Sequence, residues 1–113
     1  MANLLRNITK TGSATAQNTP LSIYTVGVGK TTIVIGFNIC NITTSSDITV
    51  TVEIDAAAPA DDINLVKNLP IPTGASIEIM SGNKMILNAG DALKITSDTA
   101  NSVDVLLSIV EQS

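Results

Sequence analysis

Residues Val26–Gly36 read VGVGKTTIVIG. Gly29-Lys30-Thr31-Thr32 matches the end of a phosphate-binding P-loop, which would place the chain among α/β nucleotide-binding domains. The residues on either side decide against this. The full pattern is G-x-x-x-x-G-K-[ST], and Tyr24 stands where its first glycine belongs. A glycine is needed there because the backbone must wrap around a phosphate with its N–H groups turned inward. A P-loop also opens a helix whose N-terminus faces the phosphates. Here Thr31, Thr32, Ile33, Val34 and Ile35 follow, all β-branched, stiff at χ1 and suited to a strand. The stretch therefore reads as a strand, Thr31–Cys40. The turn Gly27-Val28-Gly29-Lys30 is expected to join it in a hairpin to a preceding strand, Leu21–Val26.

The same period-two pattern extends along the chain. Asp47–Asp55 alternates without error, with Ile48, Val50, Val52 and Ile54 on one side and Asp47, Thr49, Thr51, Glu53 and Asp55 on the other. That is a half-buried antiparallel strand. Ser102–Val110 sets Val103, Val105, Leu107 and Ile109 inward; its other face carries Leu106 and Val110 beside Asp104 and Ser108, so part of that face is expected to be covered. Thr31–Cys40 begins apolar on both sides, then sets Ile35, Phe37 and Ile39 against Gly36, Asn38 and Cys40. It reads as a central strand with a bulge or close backbone approach at Gly36. Shorter strands are expected at Ile63–Asn68, ended by Pro70 and Pro72, and at Ala75–Met80, Lys84–Leu87 and Ala92–Ser97. The turns between them carry the Gly or Asn that a positive φ requires, as in Thr73-Gly74, Ser81-Gly82-Asn83 and Asn88-Ala89-Gly90-Asp91. No 3.6-residue apolar stripe is present. About eight short strands imply an all-β, antiparallel β-sandwich, for which a jelly roll is one available winding.

The chain has 113 residues, the size of one domain. The organisation expected is an N-terminal arm or loop over 1–19 and a sandwich over 20–113. Thr9–Pro20 is small and polar. Leu4, Leu5 and Ile8 precede it, either as an arm that packs on a neighbour or as the first strand of the chain's own sandwich. The loop Asp55–Asp62 has an Ala-rich centre that Pro59 keeps from more than a helical turn.

Composition narrows the function. Hydrophobic residues make up 44 % while only 14 % are charged, against about 25 % charged in an ordinary domain. The exterior is thus polar but largely uncharged, rich in Thr, Ser and Asn, and costs little to desolvate. This is the skin expected of a protein covered by neighbours. The six basic residues are scattered and the net charge is −4, so a nucleic-acid backbone has no electrostatic partner. Tyr24 and Phe37 are the only aromatics, too few for a base-stacking or sugar-binding platform. No apolar run is long enough for a signal peptide or a membrane span, which places synthesis and assembly in a cytoplasm.

Each chemical candidate has a plainer reading. Cys40 is the single cysteine and no histidine exists to activate it, so it is expected as a buried small hydrophobe. Asp61-Asp62, near Asp55, lacks the spacing of a calcium loop and is expected to be solvated. Asn7-Ile8-Thr9 and Asn41-Ile42-Thr43 match the glycosylation acceptor pattern, which has no meaning without secretion. Thr49-Val50-Thr51 is one triplet of an ice-binding-like ladder, explained by strand propensity. No nucleophile–base pair or paired-carboxylate site can be assembled. The expectation is a non-enzyme with no catalytic, cofactor-binding or metal residues and no cofactor.

The C-terminal half carries a resemblance. Val66–Ile79, VKNLPIPTGASIEI, is followed by Gly82–Ile95, GNKMILNAGDALKI, and then by Val103–Glu111, VDVLLSIVE. Together with Ile23-Tyr24-Thr25-Val26 and Gly29–Asn41, these runs resemble small virion structural proteins of tailed bacteriophages, including those of marine cyanobacteria. The resemblance spans most of residues 20–111 and lies in turn and strand signatures. It implies a β-sandwich component of a virus particle with no catalytic residues. These signatures do not fix the place in the particle; the first expectation is a capsid decoration or cement protein, a homotrimer that binds the major capsid protein or other virion proteins. A tail, neck or fibre-associated component is the alternative, with a host-surface binding module after it. Location in the virion, with no nucleic-acid or membrane partner, completes the expectation.

Overall fold

The structure is a computed structural model and describes residues 3–11, 16–57, 61–80 and 83–113. Its strands are β1 (Asn3–Lys10), β2 (Leu21–Thr25), β3 (Thr31–Asn41), β4 (Ile48–Asp55), β5 (Ile63–Ile71), β6 (Ser76–Glu78), β7 (Met85–Leu87), β8 (Ala92–Ser97) and β9 (Val103–Gln112). Pairing is nested and antiparallel: β1 with β9, β2 with β8, β3 with β6 and β7, β4 with β5. The chain is thus one long hairpin that turns back between β4 and β5. Wrapping it round adds β3–β9 and β4–β8. The result is two sheets, β1-β9-β3-β6 with β7 also on β3, and β2-β8-β4-β5. With β6 and β7 counted as one interrupted strand, this antiparallel β-sandwich has the winding of a jelly roll.

The core lies between the sheets where the alternation put it. Ile48, Val50, Val52 and Ile54 of β4, with Leu93 and Ile95 of β8, face Val34, Phe37 and Ile39 of β3 and the inward row Val103, Val105, Leu107 and Ile109 of β9. Each such aliphatic side chain contributes about 1.5–3 kcal/mol on leaving water. That sum, opposed by chain entropy, holds the two layers together.

Three local expectations are corrected. The Gly27–Lys30 turn exists, with Lys30 N donating to Gly27 O at 3.2 Å and Gly29 at φ 74°, but it does not close a hairpin. Val26 N donates to Asp91 O at 2.9 Å and Val26 O accepts from Gly90 N at 3.0 Å, which commits the end of β2 to the β8 side. The chain then crosses to the other sheet, and the Tyr24 hydroxyl meets Thr32 Oγ1 across the interior at 2.8 Å. In β3, Ile35 does not share a side with Phe37 and Ile39. The register against β9 slips between Val34 and Gly36, so Ile35 is the extra residue of a bulge and is 41 % exposed. The bulge read at Gly36 is therefore present, with its neighbour as the inserted residue. Finally, β5 does not stop before Pro70 but continues to the buried Ile71. Pro70 pairs opposite Thr49 on the outermost strand of its sheet, where a missing N–H removes no ladder bond.

Residues 3–10 form β1, paired with β9 over its full length from Asn3–Gln112 to Lys10–Val105. None of its side chains is fully buried. The rest of the expected arm includes 12–15, and the centre of the Asp55–Asp62 loop and the Ser81-Gly82-Asn83 turn include 58–60 and 81–82. All of these lie outside the described residues.

Candidate docking surface

Register decides which side chains meet on the outside of the sandwich. On the first sheet, Leu5 is opposite Val110, Val110 is opposite Ile33, and Ile33 is opposite Ile86. These four aliphatic side chains form one row across β1, β9, β3 and β7. Its ends are the most open, Leu5 at 73 % and Ile86 at 64 % exposure, while Val110 and Ile33 are half-buried. The bulge adds Ile35 to the same face, and Leu106 is exposed between Thr9 and Asn38. Two carboxylates share the face. Glu78 is turned to the backbone, its Oε1 accepting from Phe37 N and Met80 N at 3.0 Å each. Asp104 lies at the far end, opposite Cys40.

The outer face of the second sheet is different. There Thr51 pairs with Thr96, Glu53 with Lys94, and Asp55 with Ala92. Lys94 Nζ also donates to Asp55 Oδ2 at 2.7 Å, and this ammonium holds the Asp55 carboxyl below its ordinary range. One side of the molecule is threonine and charge; the other is aliphatic. The contrast follows from period two. Inward positions are apolar in both sheets, so only the outward positions distinguish them.

Between the sheets near β1 lies a polar network. Glu111, almost fully buried, accepts from the Tyr24 hydroxyl at 2.5 Å through Oε2 and from Arg6 at 3.1 Å through Oε1. Tyr24 also shares its bond with Thr32. Four strands meet in this cluster, which ties β1 to the body of the sandwich. The Tyr24 hydrogen bond, then Arg6, hold the Glu111 carboxyl below its ordinary range against the opposing effect of burial. Burial first, and then the bond to Glu111, push the Tyr24 hydroxyl up. Among the described residues every buried side-chain nitrogen and oxygen has a partner, so the cluster is closed on itself.

A pH prediction follows with its sign. A carboxyl whose folded pKa is depressed gives stability above its unfolded pKa and loses it as pH falls through the folded value. Glu111→Gln should cost about 1–3 kcal/mol at neutral pH by weakening the Tyr24 and Arg6 bonds. The gap to the parent should start to narrow as pH falls through the ordinary glutamate range, about 4.3, and go on narrowing below it. Urea titrations of both proteins across that range measure it. A gap that stays constant would mean that folding does not change the proton affinity of the Glu111 carboxyl.

The residues singled out from sequence are scattered and do not form a site. Lys30 and Thr31 lead into β3 with no helix behind them. Cys40 is corrected: it is half-buried on the outer face, because Ile39 and Asn41 take the inward positions beside it. Asp55 is engaged by Lys94, Asp62 Oδ1 accepts from Ala56 N at 2.9 Å, and Asp61 is exposed. Asn7 is an exposed strand residue whose Oδ1 accepts from Ser108 Oγ at 2.9 Å. Asn41 is fully buried and spends its amide on the fold. Thr49 and Thr51 flank Val50 on the polar outer face. The network around Glu111 was not anticipated, although the β9 alternation, continued two residues past Ile109, puts that carboxylate inward. Comparison with protein families, with curated proteins and with solved structures found no match.

Proposed function

We propose that this chain is a non-enzymatic structural protein of a virus particle, a capsid decoration or cement protein that seats its aliphatic sheet face on the shell. The observation that carries the reading is the contrast between the two outer faces. Seating the Leu5–Val110–Ile33–Ile86 row removes apolar surface from water and almost no charge, so the desolvation term is small. The opposite face, with Glu53, Lys94 and Asp55, stays in solvent. Jelly-roll winding occurs in capsid and lectin domains alike, so it supports a binding role without selecting one. The phage resemblance of residues 20–111 supports a place in a virus particle. The major capsid protein is the partner, and self-association of copies belongs to the same proposal.

Co-sedimentation tests it. The purified chain should pellet with empty heads of a phage encoding it and remain in solution with purified tails. Binding to tails alone would replace the decoration role with a tail, neck or fibre component. A specific hit on a glycan array with no binding to either would turn the same face into a host-surface reader.

A further inference from the structure

The two sheets have four outer strand positions, and three of them are guarded. β2 is five residues long with a register slip between Ser22 and Tyr24. β5 carries Pro70, Lys67, a positive φ at Asn68 and two slips against β4. β6 and β7 are three residues each on either side of an interruption. Short length, proline, lysine and bulges are the devices that keep sheet edges from pairing with other chains. β1 carries Arg6 and Lys10 but none of the other devices. It is eight residues long, pairs with β9 without a slip, contains no Pro or Gly, and exposes Leu4 and Leu5. Among the described residues, no strand pairs with its far edge.

We infer that this edge is completed by β1 of a second copy, antiparallel and related by a twofold axis through Asn7. The register comes from charge and length. A twofold normal to the sheet keeps side chains on their own faces, so opposed residues have numbers of the same parity. Placing Arg6 on the axis sets Arg6 against Arg6, and placing Ile8 on it sets Arg6 against Lys10; like charges directly opposed destabilise a pair. Placing Leu5 on the axis leaves Lys10 outside the ladder and shortens it. Asn7 on the axis pairs Leu4 with Lys10, Leu5 with Thr9 and Arg6 with Ile8, and uses the whole strand. Leu4 then lies along the lysine stem and Leu5 against a β-branched residue. The β1-β9-β3 sheet runs continuously into its copy. Such a contact makes pairs, where the decoration-protein expectation was a trimer. It rests on the edge alone and stands apart from the virion reading, whose test uses heads and tails.

Single cysteines test the register in a Cys40→Ala background. Asn7→Cys puts the two thiols at the axis, where opposed Cα atoms lie about 4.5–5.5 Å apart, within disulfide range. Mild oxidation at micromolar concentration should convert most of it to a covalent dimer on a non-reducing gel. Leu5→Cys sets its two thiols about 14 Å apart and should stay monomeric, while Leu5→Cys mixed with Thr9→Cys should cross-link. Light scattering of the unmodified chain should give twice the mass of the 11.7 kDa monomer. Asn7→Lys should return a folded monomer. Asn7→Cys that stays monomeric, or Leu5→Cys that cross-links equally well, overturns the inference.

Discussion

Asn41→Asp is expected to destabilise the sandwich by about 3–5 kcal/mol at neutral pH, the range for a buried charge left without its partner. The amide is fully buried at the end of β3. Its Nδ2 donates to Ser46 O at 3.0 Å and to Ile71 O at 2.9 Å, while Oδ1 accepts from Thr43 N at 2.9 Å and Thr43 Oγ1 at 2.7 Å. One side chain thus fastens the loop after β3 and reaches the end of β5 in the other sheet. Aspartate differs only in replacing the NH2 with an oxygen. That oxygen would face two carbonyl oxygens and could donate to one of them only if protonated. Either the charge stays buried against two dipoles of the wrong sign or the carboxyl takes up a proton. Burial raises a carboxyl pKa, so the deficit should shrink as pH falls because the variant regains stability, whereas the Glu111 gap narrows because the parent loses it. Asn41→Ala should cost less at neutral pH, because it leaves polar groups unpaired without adding a charge. Urea unfolding of the three proteins at two pH values is sufficient. If Asn41→Asp unfolds within about 1 kcal/mol of the parent, the amide does not make these bonds.

The same residue shows what could be read in advance. In the sequence Asn41 belongs to a three-residue motif, Asn41-Ile42-Thr43, and nothing local separates a glycosylation acceptor from a structural amide. Its decisive partner, Ile71, is 30 residues away. What period two carries is local and came through: Ile48, Val50, Val52 and Ile54 are inward, as are Val103, Val105, Leu107 and Ile109. What depends on pairing partners did not. Gly27–Lys30 is a good turn in either a hairpin or a crossing between sheets, and the choice is made by Val26 bonding to Gly90 and Asp91. Pro70 ends a central strand but continues an edge strand, and β5 is at an edge because β8 takes the other side of β4. The bulge at Ile35 reverses the parity of everything before it, so a two-residue pattern carried through that point mislabels one side. The aliphatic row joins residues from positions 5 to 110 and exists only once three registers are known. Low charge implied a covered surface; pairing shows which outer face is aliphatic.

Ile35→Lys with Ile86→Lys is expected to weaken binding to empty heads by about a hundredfold or more, with little change in unfolding free energy. Both side chains are exposed, at 41 % and 64 %, so replacing them removes little core contact. Both lie on the face proposed to meet the shell, on β3 and β7 and not on β1 itself, so self-pairing through Asn7 should survive. An ammonium carried into an apolar contact loses water without gaining a partner. A loss of about 3 kcal/mol, ordinary for a central contact, corresponds to roughly a hundredfold in Kd. A matched pair on the other outer face, Thr51→Lys with Thr96→Lys, is the control. Those residues oppose each other on the solvent-facing sheet, and their replacement should leave head binding within about threefold, since rim and solvent-side charges contribute little. Loss of binding in the second pair and not the first would move the contact to the threonine face. The aliphatic row would then be an exposed feature without a partner, and the charge argument that singled it out would fail with it.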